Sequence, residues 1–159
     1  MNKTRIILAD DQLLIRAGIR AILETLPGYQ IEEECADGHE AIAAIQRVQP
    51  DVVLLDIAMP GPSGIEVART IRQFDPNTKI LVLSSIDRQE IVEQALAAGV
   101  NGYLLKDFVL AELLQALEMV LRGELFLSPK IREMPRSSGT EGTSGGGTQL
   151  TVRQTEILR

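Results

Sequence analysis

Apolar residues along this chain fall into short unbroken runs separated by longer stretches in which they recur every three or four positions. The runs are Ile6 to Ala9, Val52 to Leu55, the body of Lys79 to Ser84, and Gly102 to Leu105, and about Gln30 to Cys35 is predicted as a further strand. A run of four to six residues without polar alternation suits a strand covered on both faces, as in a parallel sheet. Between the runs the spacing turns helical. In the first such stretch Gln12, Arg16, Arg20 and Glu24 mark a wet side, and Leu14, Ala17, Ala21 and Ile22 are predicted to be buried. Ala41, Ile42, Ile45 and Val48 line a second helix of about Gly38 to Arg47, and Ile65, Ala68 and Ile71 a third. Ile91, Val92, Ala95 and Leu96 line a fourth, and Leu110, Leu113, Leu114, Leu117 and Leu121 stripe a fifth. Pro27–Gly28, Pro60–Gly61, Pro76–Asn77 and Gly99 punctuate the series. Strands alternating with helices through short loops predict an α/β domain, a doubly wound five-stranded parallel sheet with right-handed crossovers.

The pattern changes beyond Gly123. Ser137 to Gln149 is almost entirely Gly, Ser and Thr, with nothing to bury, which reads as a flexible tether. Thr151 followed three residues later by Gln154 forms a capping-box pattern, and Ile157 and Leu158 begin an apolar face. The expected organisation is therefore a folded domain over 1–128, a linker over 129–149, and at 150–159 the opening of a further helical module that the chain only enters.

Composition narrows the function. With 159 residues and 45% hydrophobic content the chain can bury one good core. A net charge of −6 argues against a nucleic-acid surface in the residues present and favours cations or basic partners. The only cysteine, Cys35, lies in an apolar strand and reads as a small core residue. No signal peptide and no apolar run of membrane-spanning length occur, so a cytoplasmic location without a membrane is expected.

Five chemically distinctive residues fall at or just past the ends of predicted strands: Asp10, Asp11, Asp56, Ser84 and Lys106. In a parallel sheet those ends share one edge, the edge where open α/β sheets bind ligands. Asp10 or Asp11 alone could be a helix cap, Ser84 a turn hydroxyl and Lys106 a solvated strand end. Their coincidence at one edge favours a site. Three carboxylates repel one another unless a cation sits among them, and an all-oxygen site suits magnesium. A carboxylate is also a competent nucleophile toward phosphorus, with a cation and a lysine to neutralise the transferring group. A phosphatase of the haloacid-dehalogenase type would need a second Asp two residues after the nucleophile, where this chain has Ala58. Nucleotide or flavin binding lacks a phosphate-cradling Gly-Lys-Ser/Thr loop.

The Asp10/Asp11 pair, the stretch from Asp51 through Gly64 around Asp56, Ser84, and the run Gly102 to Lys106 together resemble the receiver domain of two-component response regulators, over roughly residues 3–128. Leu150 to Arg159 resembles the opening of a LuxR-type helix-turn-helix domain, pointing to the NarL/FixJ subgroup. The resemblance implies a flavodoxin-like (βα)5 fold and a signalling switch rather than a turnover enzyme. Asp56 corresponds to the phosphoacceptor for a sensor histidine kinase. Asp10 and Asp11, with Asp56 and the backbone carbonyl of Ala58, correspond to the Mg2+ ligands. Lys106 is similar to the lysine that contacts the phosphoryl group, Ser84 to the hydroxyl that moves toward it, and Tyr103 to the aromatic that changes rotamer. From the residues alone Tyr103 would read as a packed strand aromatic. The resemblance further implies a homodimer on phosphorylation and control of transcription, with DNA bound only through the C-terminal domain. Ala58 and the apolar Ile86 depart from commoner patterns near the site, and Asp107 stands where many receivers have a proline joined through a cis bond; the Lys106–Asp107 bond is expected to be trans. A phosphorylation-independent interaction module of the same fold is the alternative. His39, near a helix start, reads as a surface residue.

Overall fold

A computed structural model describes residues 3–134. Its strands are β1 (Thr4–Ala9), β2 (Tyr29–Cys35), β3 (Val52–Asp56), β4 (Lys79–Ser84), β5 (Gly102–Leu105) and β6 (Phe126–Leu127). They form one parallel sheet in the order β2-β1-β3-β4-β5-β6. The helices are α1 (Leu13–Glu24), α2 (Gly38–Val48), α3 (Gly64–Phe74), α4 (Gln89–Ala97), α5 (Val109–Leu121) and α6 (Pro129–Arg132), with a 3-10 turn at Lys106–Phe108.

Alternation along each central strand divides the core into two layers. Ile7, Ala9, Val53, Leu55, Ile80, Val82 and Tyr103 face α2, α3 and α4, whereas Ile6, Leu8, Val52, Leu54, Leu81, Leu83 and Leu104 face α1 and α5. Both faces of β3, β4 and β5 are dry, which is why these strands carry no polar alternation, whereas the edge strand β2 exposes Gln30 and Glu32. Cys35 is buried, as its strand setting predicted, and burial pushes its thiol pKa up to about 12. His39 is exposed.

Two expectations for helix phase are corrected. In α1 the buried residues are Ile19 and Leu23, flanked by half-buried Ile15 and Ile22, while Leu14 is 86% exposed and Ala17 and Ala21 also face outward. The isoleucine stripe has the same helical spacing as the alanine stripe and removes more apolar area from water, so it wins. The side expected to be wet is not uniformly so, because Arg16 and Arg20 both reach Glu34 on β2. In α5 the core face is Val109, Leu113, Ala116, Leu117 and Val120; Leu110 and Leu114 are exposed.

The sheet has six strands rather than five. Phe126 and Leu127 pair with Gly102 and Tyr103 in a strand too short to leave a period in the sequence. The chain then forms α6, where a linker was expected from residue 129: Pro129 occupies the first turn, where a missing N–H costs nothing, and Ile131 is buried. The tether expected over 137–149 and the helical opening at 150–159 lie outside the described residues.

Candidate functional site

The order of the strands places the site. Chain direction away from the sheet centre reverses between β1 and β3, and the crevice at that reversal is where doubly wound domains hold ligands. Asp10 follows β1 directly and Asp56 ends β3, so the two carboxylates flank the crevice. Both are buried, at 0% and 2% exposure, whereas Asp11 is exposed.

Neither acid at the β1 end caps a helix through its side chain in the expected way. The N-cap of α1 is Gln12, without a side-chain cap bond. Asp10 Oδ1 instead accepts the Gln12 amide at 2.8 Å, a local turn that leaves Oδ2 directed into the cluster. There Asp10 Oδ2 lies 2.9 Å from Lys106 Nζ yet outside hydrogen-bonding geometry, and it is a buried oxygen with no hydrogen-bond donor. Lys106 Nζ also lies 3.2 Å from Asp56 Oδ2 and donates to the Gln12 side-chain oxygen. One ammonium group thus serves two buried carboxylates.

Asp56 Oδ1 accepts the Ala58 amide at 3.1 Å. The loop that delivers this amide is held by close approach: a Cβ on Gly64 would sit 2.3 Å from the Asp56 carbonyl oxygen, and the Gly64 amide donates to Ile57 O at 2.8 Å. Ser63 begins α3 there with a complete capping box to Glu66. Gly61, at φ 77°, makes the turn before it in a region that disfavours any side chain. Burial raises the Asp56 pKa to about 6; the nearby Asp10 charge adds to the rise, and Lys106 and the Ala58 amide oppose it. One oxygen from each of Asp10, Asp11 and Asp56 lies within 4.8 Å of the others, a spacing that fits a single cation.

Ser84, buried at the end of β4, accepts the Ile86 amide at 2.9 Å. Tyr103 is fully buried, and its hydroxyl donates to the Ile86 carbonyl at 2.7 Å. Ile86 therefore contributes backbone groups that tie Ser84 to Tyr103 across the β4–α4 loop. Burial raises the Tyr103 pKa, with Ser84 acting against it. All peptide bonds among the described residues are trans, Lys106–Asp107 included.

Sequence reasoning overlooked Gln12, whose side chain helps hold Lys106, and Ser128, fully buried behind β5. Gln12 could have been found from its place beside the acid pair. Ser128 carries no pattern to find.

This arrangement matches known proteins. The description "response regulator receiver domain" fits residues 6–118. The uncharacterized transcriptional regulatory protein YxjL of Bacillus subtilis (strain 168) is 43% identical over 123 residues, covering 77% of this chain and 56% of that protein. The nitrate/nitrite response regulator protein NarL of Escherichia coli (strain K12) is 32% identical over 157 residues, 97% of this chain and 73% of its own length. Among solved structures, a LuxR-family two-component response regulator from Aurantimonas sp. SI85-9A1 superimposes with TM-score 0.79 at 39% identity, covering 83% of this chain and 94% of that one. The chain belongs to the response regulator receiver domain family, in its NarL/LuxR-type branch. Members are signalling switches rather than metabolic enzymes. The chain spans little more than half the length of the YxjL relative.

Proposed function

We propose that Asp56 is the phosphoacceptor of a cytoplasmic transcriptional response regulator, with a sensor histidine kinase as donor. The observation that carries this reading is the buried Asp56 carboxylate, raised to a pKa of about 6 yet paired with Lys106 and grouped with two further acids. A carboxylate of that basicity is mostly ionised at pH 7 and has lost much of its hydration, which favours attack on phosphorus. In the transfer an Asp56 oxygen bonds to phosphorus, the P–N bond of phosphohistidine breaks, and the imidazole leaves with the electron pair.

Asp10, Asp11, Asp56 and the Ala58 carbonyl would hold Mg2+. The residues fit it: three oxygens lie within reach of one ion, and Asp10 Oδ2 lacks a donor. The ion would neutralise charge on the transferring oxygens. Lys106 would pair with the phosphoryl group, Ser84 would donate to it, and Tyr103 would follow the loop. Shifting such a domain from mostly off to mostly on needs about 5.5 kcal/mol of differential stabilisation, within the range of a few charge-assisted hydrogen bonds. The phosphorylated form would pair as a homodimer and regulate transcription through a DNA-binding domain beyond the receiver, since a helix-turn-helix reader normally covers two half-sites.

Intact mass after treatment with a small phosphodonor and Mg2+ tests the assignment. One phosphoryl group should appear on the wild type and be absent from Asp56→Asn and from wild type in excess chelator. Phosphoryl mass on Asp56→Asn would overturn it.

A further inference from the structure

Beyond the acid cluster, one segment touches both parts of the fold that surround the site from behind. The segment is β6 with α6, and it follows β5 closely. The Phe126 amide donates to Asn101 O at 3.2 Å, and the Ser128 amide donates to Tyr103 O at 3.0 Å. Ser128 Oγ accepts the Leu105 amide at 2.9 Å and donates to Glu112 Oε1 at 2.8 Å. Ser128 is fully buried, so these bonds have no water to replace them. The strand that carries Tyr103 and ends next to Lys106 is therefore bonded to this arm at successive positions.

The arm also reaches the β4–α4 loop. Lys130 Nζ lies 3.0 Å from Asp87 Oδ2, and Asp87 follows directly on Ile86, whose amide and carbonyl engage Ser84 and Tyr103. Ile131 is buried, and with Leu127 and Met134 it lines a small groove against Val92 and Leu96 of α4. The exposed Lys130–Asp87 pair contributes little by itself. Its importance lies in its position, because it fastens the arm to the one loop that must move if Ser84 turns toward a phosphoryl oxygen.

We propose that the β6–α6 arm reports the phosphorylation state of Asp56 to the residues that follow it. When Ser84 gives up the Ile86 amide, the loop resets, Asp87 parts from Lys130, and α6 loosens from α4, while Ser128 keeps β6 fixed on β5. The arm thus converts a change at the site into release of the segment that leads toward the C terminus. This rests on Asp56 being the phosphoacceptor. Because coupling is reciprocal, loosening the arm must in turn favour the phosphorylated conformation.

The test uses the full chain with a small phosphodonor and Mg2+, reading intact mass and amide hydrogen exchange on the same samples. Phosphorylated wild type should show exchange at Ile131 to Met134 faster by about fivefold, the low end of ordinary coupling, with Phe126 and Leu127 unchanged. Lys130→Ala should exchange faster at those amides before phosphorylation and should bind the phosphoryl analogue beryllofluoride, with Mg2+ present, severalfold more tightly than wild type. Exchanging the pair, Asp87→Lys with Lys130→Asp, should restore both readouts toward wild type. A stable phosphoryl group with unchanged exchange at Ile131 to Met134 would overturn the reporter while leaving Asp56 as acceptor. Unaltered beryllofluoride affinity in Lys130→Ala would also overturn it. No phosphoryl mass at all would overturn the underlying function and this inference together.

Discussion

At the scale of single residues, the site is a charge problem solved incompletely: two buried carboxylates share one lysine. Asp56 has a folded-state pKa of about 6 against an ordinary value of 3.8. Well below pH 3.8 the carboxyl is protonated whether folded or unfolded and costs nothing. As pH rises toward 6 the unfolded chain ionises first, so native stability falls, and above 6 the loss is complete. Asp56→Asn in excess chelator should therefore stabilise the protein at pH 7 by up to about 3 kcal/mol, a gain that falls to about 0.5 kcal/mol at pH 4. Thermal melts across that window check it; a gain that is constant with pH would contradict the burial argument. Lys106→Ala should act oppositely, costing about 3 kcal/mol or more near neutrality because it leaves buried charge without its partner. The residue types of this cluster were legible from their places at strand ends. The division of labour within Asp10 was not, because one oxygen closes a local turn and the other faces the cluster, a choice made by tertiary geometry.

At the scale of elements, strands were easier to read than helices, and for a physical reason. A strand covered on both faces must be apolar at every position, so Val52 to Leu55 admits no alternative register of burial. A helix carrying two apolar stripes does admit one. In α1 both the Leu14–Ala17–Ala21 and the Ile15–Ile19–Ile22 series have helical spacing, and only packing against the sheet selects the second. Paired substitutions make the choice measurable: Leu23→Ala should cost about 2–5 kcal/mol as a core truncation. Leu14→Ala should stay within about 0.5 kcal/mol, as a surface change does. Equal costs in urea denaturation would mean that the helix is rotated from the phase described. β6 and α6 escaped sequence reading because two and four residues are too few to show a period, and they are held by Ser128 and Ile131 rather than by propensity.

At the scale of the whole molecule, alternating elements and short loops were enough to predict the parallel sheet, and the strand order then explains why residues 46 positions apart in sequence, such as Asp10 and Asp56, meet at one edge. Binding of the proposed cation there would make ion binding and folding a single equilibrium, since the unfolded chain has no such cluster. Mg2+ should raise the thermal midpoint of the wild type at pH 7.5, by the amount that mass action sets: about 2.7 kcal/mol when the free ion stands at a hundred times its dissociation constant. Protons and the ion compete for the same oxygens. With the Asp56 pKa at about 6, the rise should shrink steadily as pH falls from 7 to 5. Asp11→Asn removes the exposed acid of the proposed ion site without disturbing the buried lysine pairs, so it should keep the metal-free midpoint near that of wild type yet lose most of the Mg2+-dependent rise. A shift of equal size in Asp11→Asn, or one independent of pH, would place the ion elsewhere on the acidic surface, because only a site built from these three carboxylates ties the metal, the proton and the fold to the same atoms.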